Sequence, residues 1–265
     1  IHTGTACNLE CPFCLEGSRP GDTRLERIKL NEIKPYLDEA VTLGVQRFCF
    51  TGGEPLIVKD IVKILEYALA LKPCLILSNG TAPLLKRLHQ LQLLKQQAHP
   101  LSFRISIDHP DQKQHDSARG WGNFQRAVEA LQLLHEQGFE ISIARQAIEN
   151  EDRTQVLEEF RQLLRKARLP ANTHRDVYKR QGKLGTPSTL NAPLPTHQPT
   201  DHLMCTKSRM LLKHTGQLKI YACAFTDDDE RFDLGSSLTT ATKTSVCLQH
   251  QRCAQCVINK ATYSE

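Results

Sequence analysis

The chain has 265 residues, of which 40% are hydrophobic and 24% charged, a composition typical of globular proteins. Its formal net charge of +5 is spread along the sequence among 29 acidic residues, so it does not favour a nucleic-acid-binding protein. No apolar stretch is long enough to cross a bilayer, and no signal peptide is visible. Because the first residue is Ile1 rather than Met, we expect a truncated N-terminus.

Apolar strand-like runs alternate with helical patterns over the first two thirds of the chain. Strands are predicted at residues 1–3, 45–50, 74–77, 103–107 and 141–147, and helices at 33–43, 61–71, 84–96, 124–137 and 156–167. This alternation predicts an α/β fold with a parallel sheet and helical crossovers. A full eight-unit barrel needs about 250 residues, so we expect five or six units, in a partial barrel or a doubly wound sheet. In either fold, ligands collect at the C-terminal ends of the strands.

Residues 169–200 break the pattern, because they are rich in Pro, Thr, Asn and His, and we interpret them as a linker. Within the linker, residues 176–181 read Asp-Val-Tyr-Lys-Arg-Gln, which resembles the translation of a transposon adaptor used in sequencing libraries. Such a string would stand in place of native sequence, for example a sixth strand, whereas the plain alternative is a surface loop. Farther on, residues 210–214 and 218–222 flank a glycine turn and predict a β-hairpin.

Ten cysteines are distributed unevenly, with three within eight residues near the start and five between Cys205 and Cys256. A disulfide framework is one interpretation, but such frameworks suit small, loop-rich secreted chains. This chain is large and has long amphipathic segments, so the clusters indicate metal or iron–sulfur ligation. Cys49 and Cys74 stand alone in apolar runs, and we expect them to be core thiols.

Cys7, Cys11 and Cys14 follow the first predicted strand directly. Three thiolates this close can converge on one centre if the chain wraps around it, and thiolate suits iron–sulfur clusters or zinc. A cubane cluster takes four cysteines, one per iron, so three would leave one iron open. The Cys-x3-Cys-x2-Cys spacing, with Phe13 before the third cysteine, resembles the signature of the radical S-adenosylmethionine (SAM) superfamily. This resemblance makes zinc the weaker interpretation.

The resemblance implies that Cys7, Cys11 and Cys14 hold a [4Fe–4S] cluster whose open iron binds the amino and carboxylate groups of SAM. One electron from the cluster then cleaves SAM to methionine and a 5′-deoxyadenosyl radical, which abstracts hydrogen from a substrate. In such enzymes the cofactor supplies the chemistry, and the protein positions the reacting atoms and excludes water. Phe13 would pack near the adenine of SAM.

A second motif, Thr-Gly-Gly-Glu-Pro at residues 51–55, ends the second predicted strand. Gly52 and Gly53 would let the backbone approach a ligand closely, and Glu54 offers a carboxylate to an ammonium group. Alone, these residues predict only a turn. After a three-cysteine loop they resemble the GGEP motif of the family, which binds the SAM amino group.

Polar residues also end the later strands. Ser78 and Asn79 resemble a family motif near SAM, although loop chemistry explains them equally well. Ser106 and Asp108 share one face of their strand and resemble the pair that contacts the SAM ribose in many relatives. Arg145 would contact the SAM carboxylate or form a surface ion pair. Four residues after the 103–107 strand are candidates to face the substrate: His109, His115, Asp116 and Arg119.

The C-terminal cysteines resemble the auxiliary-cluster regions, called SPASM or twitch domains, of many radical SAM enzymes. Those regions place one cysteine before and one after a hairpin with a glycine turn, but here six residues separate the glycine from Cys223, where the SPASM pattern has four. Five cysteines are too few for two full clusters. We therefore expect one auxiliary [4Fe–4S] cluster on Cys205, Cys223, Cys253 and Cys256, with Cys247 as the substitute ligand. A structural zinc site is the alternative.

Together these motifs predict three regions: a radical SAM core at residues 1–168, the linker at 169–200, and an auxiliary-cluster module at 201–265. We expect the core to be a partial (β/α)6 TIM-like barrel, with a small cysteine-rich hairpin module closing over the C-terminal strand ends. The expected reaction is hydrogen abstraction from a peptide or a small molecule.

The expected partners are this substrate and an electron donor such as flavodoxin or ferredoxin, with no membrane and no nucleic acid. Thiolate-held clusters imply a reducing cytoplasm and oxygen sensitivity. The rival class is a non-catalytic iron–sulfur or zinc-binding protein, which would need neither the Gly-Gly-Glu motif nor the Ser106 and Asp108 pair.

Overall fold

The computed structural model describes residues 1–147, 151–173, 178–179, 203–250 and 252–253. The first part of the chain alternates helices and strands: α1 (Leu30–Thr42), β1 (Phe48–Phe50), α2 (Ile61–Leu71), β2 (Cys74–Ser78), α3 (Ala82–Leu93), β3 (Leu101–Ser106), α4 (Gln112–Arg119), α5 (Asn123–Glu136), β4 (Glu140–Ala144), β5 (Gln146–Ala147) and α6 (Arg153–Lys166). The five predicted helices are confirmed, and so are the predicted strands except the one at residues 1–3, where only His2 makes a single β-bridge. The short helix α4 is not predicted by the sequence. Among its buried residues only Ala118 is apolar, so the segment shows no helical periodicity of apolar residues.

Four parallel strands form the sheet in the order β1-β2-β3-β4. The N-terminal segment extends this sheet through a parallel bridge between His2 and Thr51, just after β1. The sheet and its helical crossovers are those of the expected α/β partial barrel.

The helices cover one face of the sheet because their apolar residues repeat at helical spacing. In α2, the buried side chains fall three and four residues apart and belong to the same hydrophobic core as Phe50, Ile76 and Phe103 of the strands. Successive residues of a strand point to opposite faces. The alternate residues of β2, β3 and β4 therefore face away from the helices, where the cavity described below lies.

The strand β6 (Tyr178–Lys179) pairs in parallel with β5, joining Gln146 to Tyr178 and Ala147 to Lys179. It lies within the adaptor-like residues 176–181. The pair β5 and β6 forms a two-stranded sheet apart from the four-stranded one, and the origin of residues 176–181 stays a prediction. Residues 180–200 lie outside the described residues.

The C-terminal module contains α7 (Met204–Lys207), β7 (Met210–His214), β8 (Gln217–Tyr221) and α8 (Leu238–Lys243). The antiparallel pair β7 and β8 confirms the predicted hairpin. Leu211 and Ile220 belong to the main hydrophobic core, and the Lys213 ammonium contacts Glu32 of α1 at 2.7 Å. The module therefore packs directly on the barrel. Within the part of the chain that the structure describes, no helix combines the length and apolar character needed to span a membrane.

Candidate functional site

A cavity of about 200 Å³ lies at the carboxyl ends of the parallel strands. Thr51, Ser78, Ser106 and Ala144, which end or directly follow the four strands, all line it. Ligands of parallel α/β folds bind at this end of the sheet. This cavity, hereafter the central cavity, is the candidate functional site.

The cysteine loop, residues 6–19, forms one wall of the central cavity. Its ends are joined by a parallel bridge between Ala6 and Arg19, and the Cys7 N–H donates to the Arg19 carbonyl at 3.2 Å. Inside the loop, the Cys14 N–H donates to the Cys11 carbonyl at 3.0 Å, which makes a tight turn. As a result, Cys7, Cys11 and Cys14 all line the cavity, as the spacing predicted.

The three thiols are close enough to influence one another. Burial raises the pKa of Cys7 to about 12, the Leu9 N–H opposes this, and charges on Glu54, Cys11 and Cys14 add to the rise. Burial also raises the pKa of Cys11, against the positive charge of Arg119. A metal centre would therefore have to displace protons from these thiols.

This donor set fits an iron–sulfur cluster. Thiolate is the ligand that such clusters prefer, and each thiolate of a cubane binds a different iron. Among the described residues, no three His, Cys, Asp or Glu side chains form a group that could hold a single metal ion. Three thiols around one cavity are the arrangement that a cluster with one open iron requires.

Gly52 and Gly53 line the cavity where the end of β1 crosses the start of the cysteine loop. The Gly53 N–H donates to the Gly4 carbonyl at 3.0 Å, and the Glu54 N–H donates to the Ala6 carbonyl at 3.1 Å. A Cβ atom at Gly53 would lie 2.2 Å from the Ala6 oxygen. The glycine pair is therefore required for contact between two backbone segments of the protein, in addition to any contact with a ligand.

Glu54 lies beneath the cavity and is 1% exposed. Its carboxylate accepts hydrogen bonds from the Ser78 hydroxyl and from the N–H groups of Leu56 and Asn79, at 2.8 to 3.1 Å. Burial raises its pKa to about 7 against these hydrogen bonds. Glu54 is not among the residues that line the cavity. The structure thus shows Glu54 joining the ends of β1 and β2, and its contact with the SAM amino group stays a prediction.

Asn79 connects the end of β2 to the cysteine loop. Its side-chain amide donates to the Asn8 side-chain oxygen Oδ1 at 2.9 Å and approaches the Cys7 sulfur at 3.8 Å. Thr81 completes the network, since it donates to the Asn79 oxygen at 2.6 Å and accepts from Asn8 at 2.9 Å. Ser78 and Asn79 both line the cavity. Asn79 therefore orients the neighbour of Cys7 while it faces the cavity.

Ser106, Asp108 and Arg119 form the opposite wall. The Arg119 guanidinium pairs with the Asp108 carboxylate and lies 5.2 Å from the centre of the Phe13 ring. Burial alone would lower the pKa of Arg119, but the charges of Asp108 and Cys11 raise it above its ordinary value. A permanent positive charge therefore lies between Asp108 and the thiols.

Two further arginines line the cavity. Arg145 is 3% exposed and binds both carboxylate oxygens of Glu151, at 2.5 and 2.8 Å, so its ion pair is buried rather than on the surface. Arg104 projects from β3 and is 4% exposed. Sequence reasoning missed Arg104, although a charged residue inside the apolar string Phe-Arg-Ile-Ser-Ile is a signal for a strand that faces a polar interior.

Of the other candidates after β3, none lines the central cavity apart from Arg119. Asp116 is buried and accepts from the N–H groups of Gly122 and Phe124 at 2.9 and 2.8 Å, so it fixes the start of α5. His109 accepts from the Asp111 N–H at 2.9 Å. His115 accepts from the Asp108 N–H at 3.2 Å, and burial lowers its pKa to about 4. The structure thus shows His109, His115 and Asp116 in hydrogen bonds of the surrounding wall, and their role toward a substrate stays a prediction.

The C-terminal cysteines form a separate group from the cavity. The pKa of Cys253 is raised, first by burial and further by the charges of Cys205 and Cys247. The Cys223 sulfur accepts the Phe225 N–H at 3.4 Å. Cys256 lies outside the described residues. The charges of Cys205 and Cys247 thus act on Cys253, and the ligation of a cluster by the C-terminal cysteines stays a prediction.

Eleven predicted site residues line the central cavity together: Cys7, Cys11, Phe13, Cys14, Gly52, Gly53, Ser78, Asn79, Ser106, Asp108 and Arg145. A parallel α/β barrel with three cysteines and a glycine pair at its strand ends is the architecture of an enzyme that uses an iron–sulfur cluster. Residues 1–167 match the family model of the Radical SAM superfamily. The chain belongs to this superfamily.

Two curated relatives show the range of the similarity. The chain is 31% identical over 145 residues to the antilisterial bacteriocin subtilosin biosynthesis protein AlbA of Bacillus subtilis, covering 54% of this chain and 31% of AlbA. It is 29% identical over 144 residues to the AdoMet-dependent heme synthase of Oleidesulfovibrio alaskensis, covering 52% of this chain and 35% of the synthase. The chain thus spans about a third of the length of these curated relatives.

A solved structure shares the fold over more of the chain. The structure of anSMEcpe with bound AdoMet superimposes with a TM-score of 0.60 over 92% of this chain and 76% of that protein, at 14% identity. The protein is therefore a radical SAM superfamily enzyme, and its cofactors are a [4Fe–4S] cluster and SAM.

Proposed function

We propose that this protein cleaves SAM reductively at the cysteine loop and uses the resulting 5′-deoxyadenosyl radical to abstract hydrogen from a substrate. The observation that carries the proposal is the meeting of Cys7, Cys11 and Cys14 with the glycine pair and with Asp108 around one cavity. A pure electron carrier needs the thiols alone. The bound cluster and SAM supply the radical, and the chain's own residues determine where it forms.

We assign the cluster to Cys7, Cys11 and Cys14. The Asn79 amide, near the Cys7 sulfur, would stabilise the thiolate by a weak hydrogen bond. Arg119 would offset part of the negative charge of the three thiolates, because its charge already affects Cys11.

The SAM molecule would lie against the remaining lining residues. Phe13 offers an apolar ring for the adenine, and Ser106 and Asp108 offer acceptors for the ribose hydroxyls. The backbone at Gly52 and Gly53 leaves room for the methionine part, whose carboxylate Arg145 would balance. Asp108 already pairs with Arg119, which fixes its orientation before any ligand binds.

An auxiliary [4Fe–4S] cluster is the second part of the proposal. Cys205 and Cys253 are the first ligands of this proposal, because the charge of Cys205 contributes to the raised pKa of Cys253. Cys223 and Cys256 complete the set, or Cys247 takes the place of one of them. Four thiolates also suit zinc, so metal analysis decides between the two.

For the substrate we propose a peptide, because the relative AlbA is a bacteriocin biosynthesis protein. A small molecule is the second candidate, favoured by the similarity to a heme synthase. We also propose a cytoplasmic location and an electron donor of the flavodoxin or ferredoxin type. Stimulation of deoxyadenosine formation by a panel of precursor peptides, but not by tetrapyrroles, would support the peptide; the reverse result would support the small molecule.

The decisive experiment measures iron content and deoxyadenosine release after anaerobic reconstitution with SAM and dithionite. The matched control is the Cys7→Ala/Cys11→Ala/Cys14→Ala variant. We expect the wild type to release deoxyadenosine and the variant to release none, while the variant keeps about four irons in the auxiliary site. A wild-type protein that holds zinc, or that holds iron without cleaving SAM, would favour the rival metal-binding function.

A further inference from the structure

The central cavity has one wall that does not belong to the barrel. Phe225 lies in a short 3-10 helix (Ala224–Thr226) just after β8, and among the described residues of the C-terminal module it alone lines the cavity. The other lining residues come from the cysteine loop, from the strands and the residues that follow them, and from Arg119 at the end of α4. A side chain of the C-terminal module therefore completes the site that the barrel builds.

Two hydrogen bonds connect the backbone of Phe225 to the region of the C-terminal cysteines. Its N–H donates to the Cys223 sulfur at 3.4 Å, and its carbonyl accepts from the Arg252 guanidinium at 2.5 Å. Arg252 precedes Cys253 in the chain. These two hydrogen bonds join Phe225 to a cysteine of the module and to the residue beside another cysteine.

The segment around Phe225 is also connected to the cysteine loop, through Arg24. Asp227, whose side chain is 4% exposed, forms an ion pair with Arg24. Arg24 also donates to the Glu16 carbonyl at 2.8 Å, and Glu16 lines the cavity. A buried carboxylate in a pair of this kind is destabilised when its partner is lost. The ion pair therefore fixes the position of the segment relative to the cysteine loop.

We propose that Phe225 is a wall of the SAM site and that Arg24, Asp227 and Arg252 are positioning residues for it. The segment 223–228 thereby connects the C-terminal cysteines to the central cavity. This inference rests on the proposal that the central cavity binds SAM. An apolar ring at the mouth of a site excludes water and strengthens the polar contacts inside. Its loss should weaken SAM binding without removing the cluster.

The test measures SAM affinity by equilibrium dialysis on the anaerobically reconstituted full chain, together with iron content and thermal stability. We expect Phe225→Ala and Arg24→Ala each to weaken SAM binding about tenfold at unchanged iron content. Phe225→Leu should recover part of the affinity. The charge exchange Arg24→Asp/Asp227→Arg should recover more affinity than either single change. A loss of SAM affinity in Phe225→Ala at unchanged iron content and thermal stability is a result that a merely structural role would not produce.

The matched control is Arg231→Ala, since Arg231 is an exposed arginine of the same module that pairs with Asp229. Equal SAM affinity in Phe225→Ala and the wild type, with equal iron content, would overturn this inference and leave the proposed function intact. An equal loss of affinity in the control would also overturn it. A wild type that takes up iron and binds no SAM would overturn the proposed function as well.

Discussion

Replacing Gly53 with alanine would place a methyl group inside the backbone crossing at the base of the cysteine loop. The new Cβ atom would lie 2.2 Å from the Ala6 oxygen and 2.6 Å from the Thr5 oxygen, which are both backbone atoms. Cβ contacts under 3.0 Å essentially never occur, so the two segments would have to separate by about 0.8 Å, the difference between 3.0 and 2.2 Å.

This separation would lower the free energy of unfolding. It would weaken the hydrogen bonds from the N–H groups of Gly53 and Glu54, each with a net value of about 1 kcal/mol. Overpacking in a tight interior adds about 1–3 kcal/mol. We expect Gly53→Ala to lower the free energy of unfolding by about 3–5 kcal/mol, which in a chain of this size lowers Tm by roughly 10 °C.

The assay is thermal unfolding of the metal-free protein, followed by circular dichroism under reducing, anaerobic conditions. The matched control is Gly44→Ala, because Gly44 has a φ of +84° but no atom within 4 Å of an added Cβ. Backbone strain alone should cost the control about 1–2 kcal/mol. If Gly53→Ala melts as high as this control, the backbone crossing tolerates a methyl group and does not require glycine at residue 53.

Three further predictions concern charged and thiol groups. Folding raises the pKa of Glu54 from 4.5 to about 7, so the protonated carboxyl stabilises the folded state most below pH 4.5. About 3 kcal/mol of this stability is lost as the pH rises through 7. Urea unfolding in a pH series should show the loss in the wild type but not in Glu54→Gln. Asp108→Ala strands the Arg119 charge and should lower the free energy of unfolding by about 3–5 kcal/mol, as measured by urea unfolding. Cys205→Ala/Cys253→Ala should lower the iron content by about four per chain in a colorimetric assay.

Each of these has its own control. A pH profile of stability that is the same in Glu54→Gln and the wild type would show that Glu54 titrates normally. The double variant Asp108→Ala/Arg119→Met should be more stable than Asp108→Ala, because no charge is left unpaired; if it is less stable, the pair is not the cause. Cys49→Ala is the control for the iron assay, and an equal loss of iron there would count against the auxiliary site.

Periodicity and spacing were enough to predict the barrel and most of the lining residues. The helices are long and amphipathic, so α2 was predicted with its observed ends, and the three-cysteine spacing placed its thiols at one cavity. Local patterns suffice here because each element buries its own apolar face. Ser106 and Asp108 also follow from the rule that ligands collect at the carboxyl ends of parallel strands.

The sequence does not predict contacts between residues that lie far apart along the chain. Glu54 was expected to face a ligand, yet hydrogen bonds from residues about 25 positions away draw it under the cavity. Phe225 gives no signal, because only the packing of the C-terminal module on the barrel brings it to the site. The helix α4 lacks an apolar stripe, and its start is fixed by the preceding Asp111, whose carboxylate accepts the Gln114 N–H at 2.9 Å.

The bridge between Ala6 and Arg19 has a consequence for the entropy of metal uptake. Bringing together the ends of a flexible loop of this length costs roughly 2 kcal/mol. In this protein the bridge and the crossing at Gly53 are made by the backbone of the barrel itself, so the folding of the barrel would bear part of that cost. A loop that the protein's own backbone closes would leave mainly side chains to order when a cluster binds.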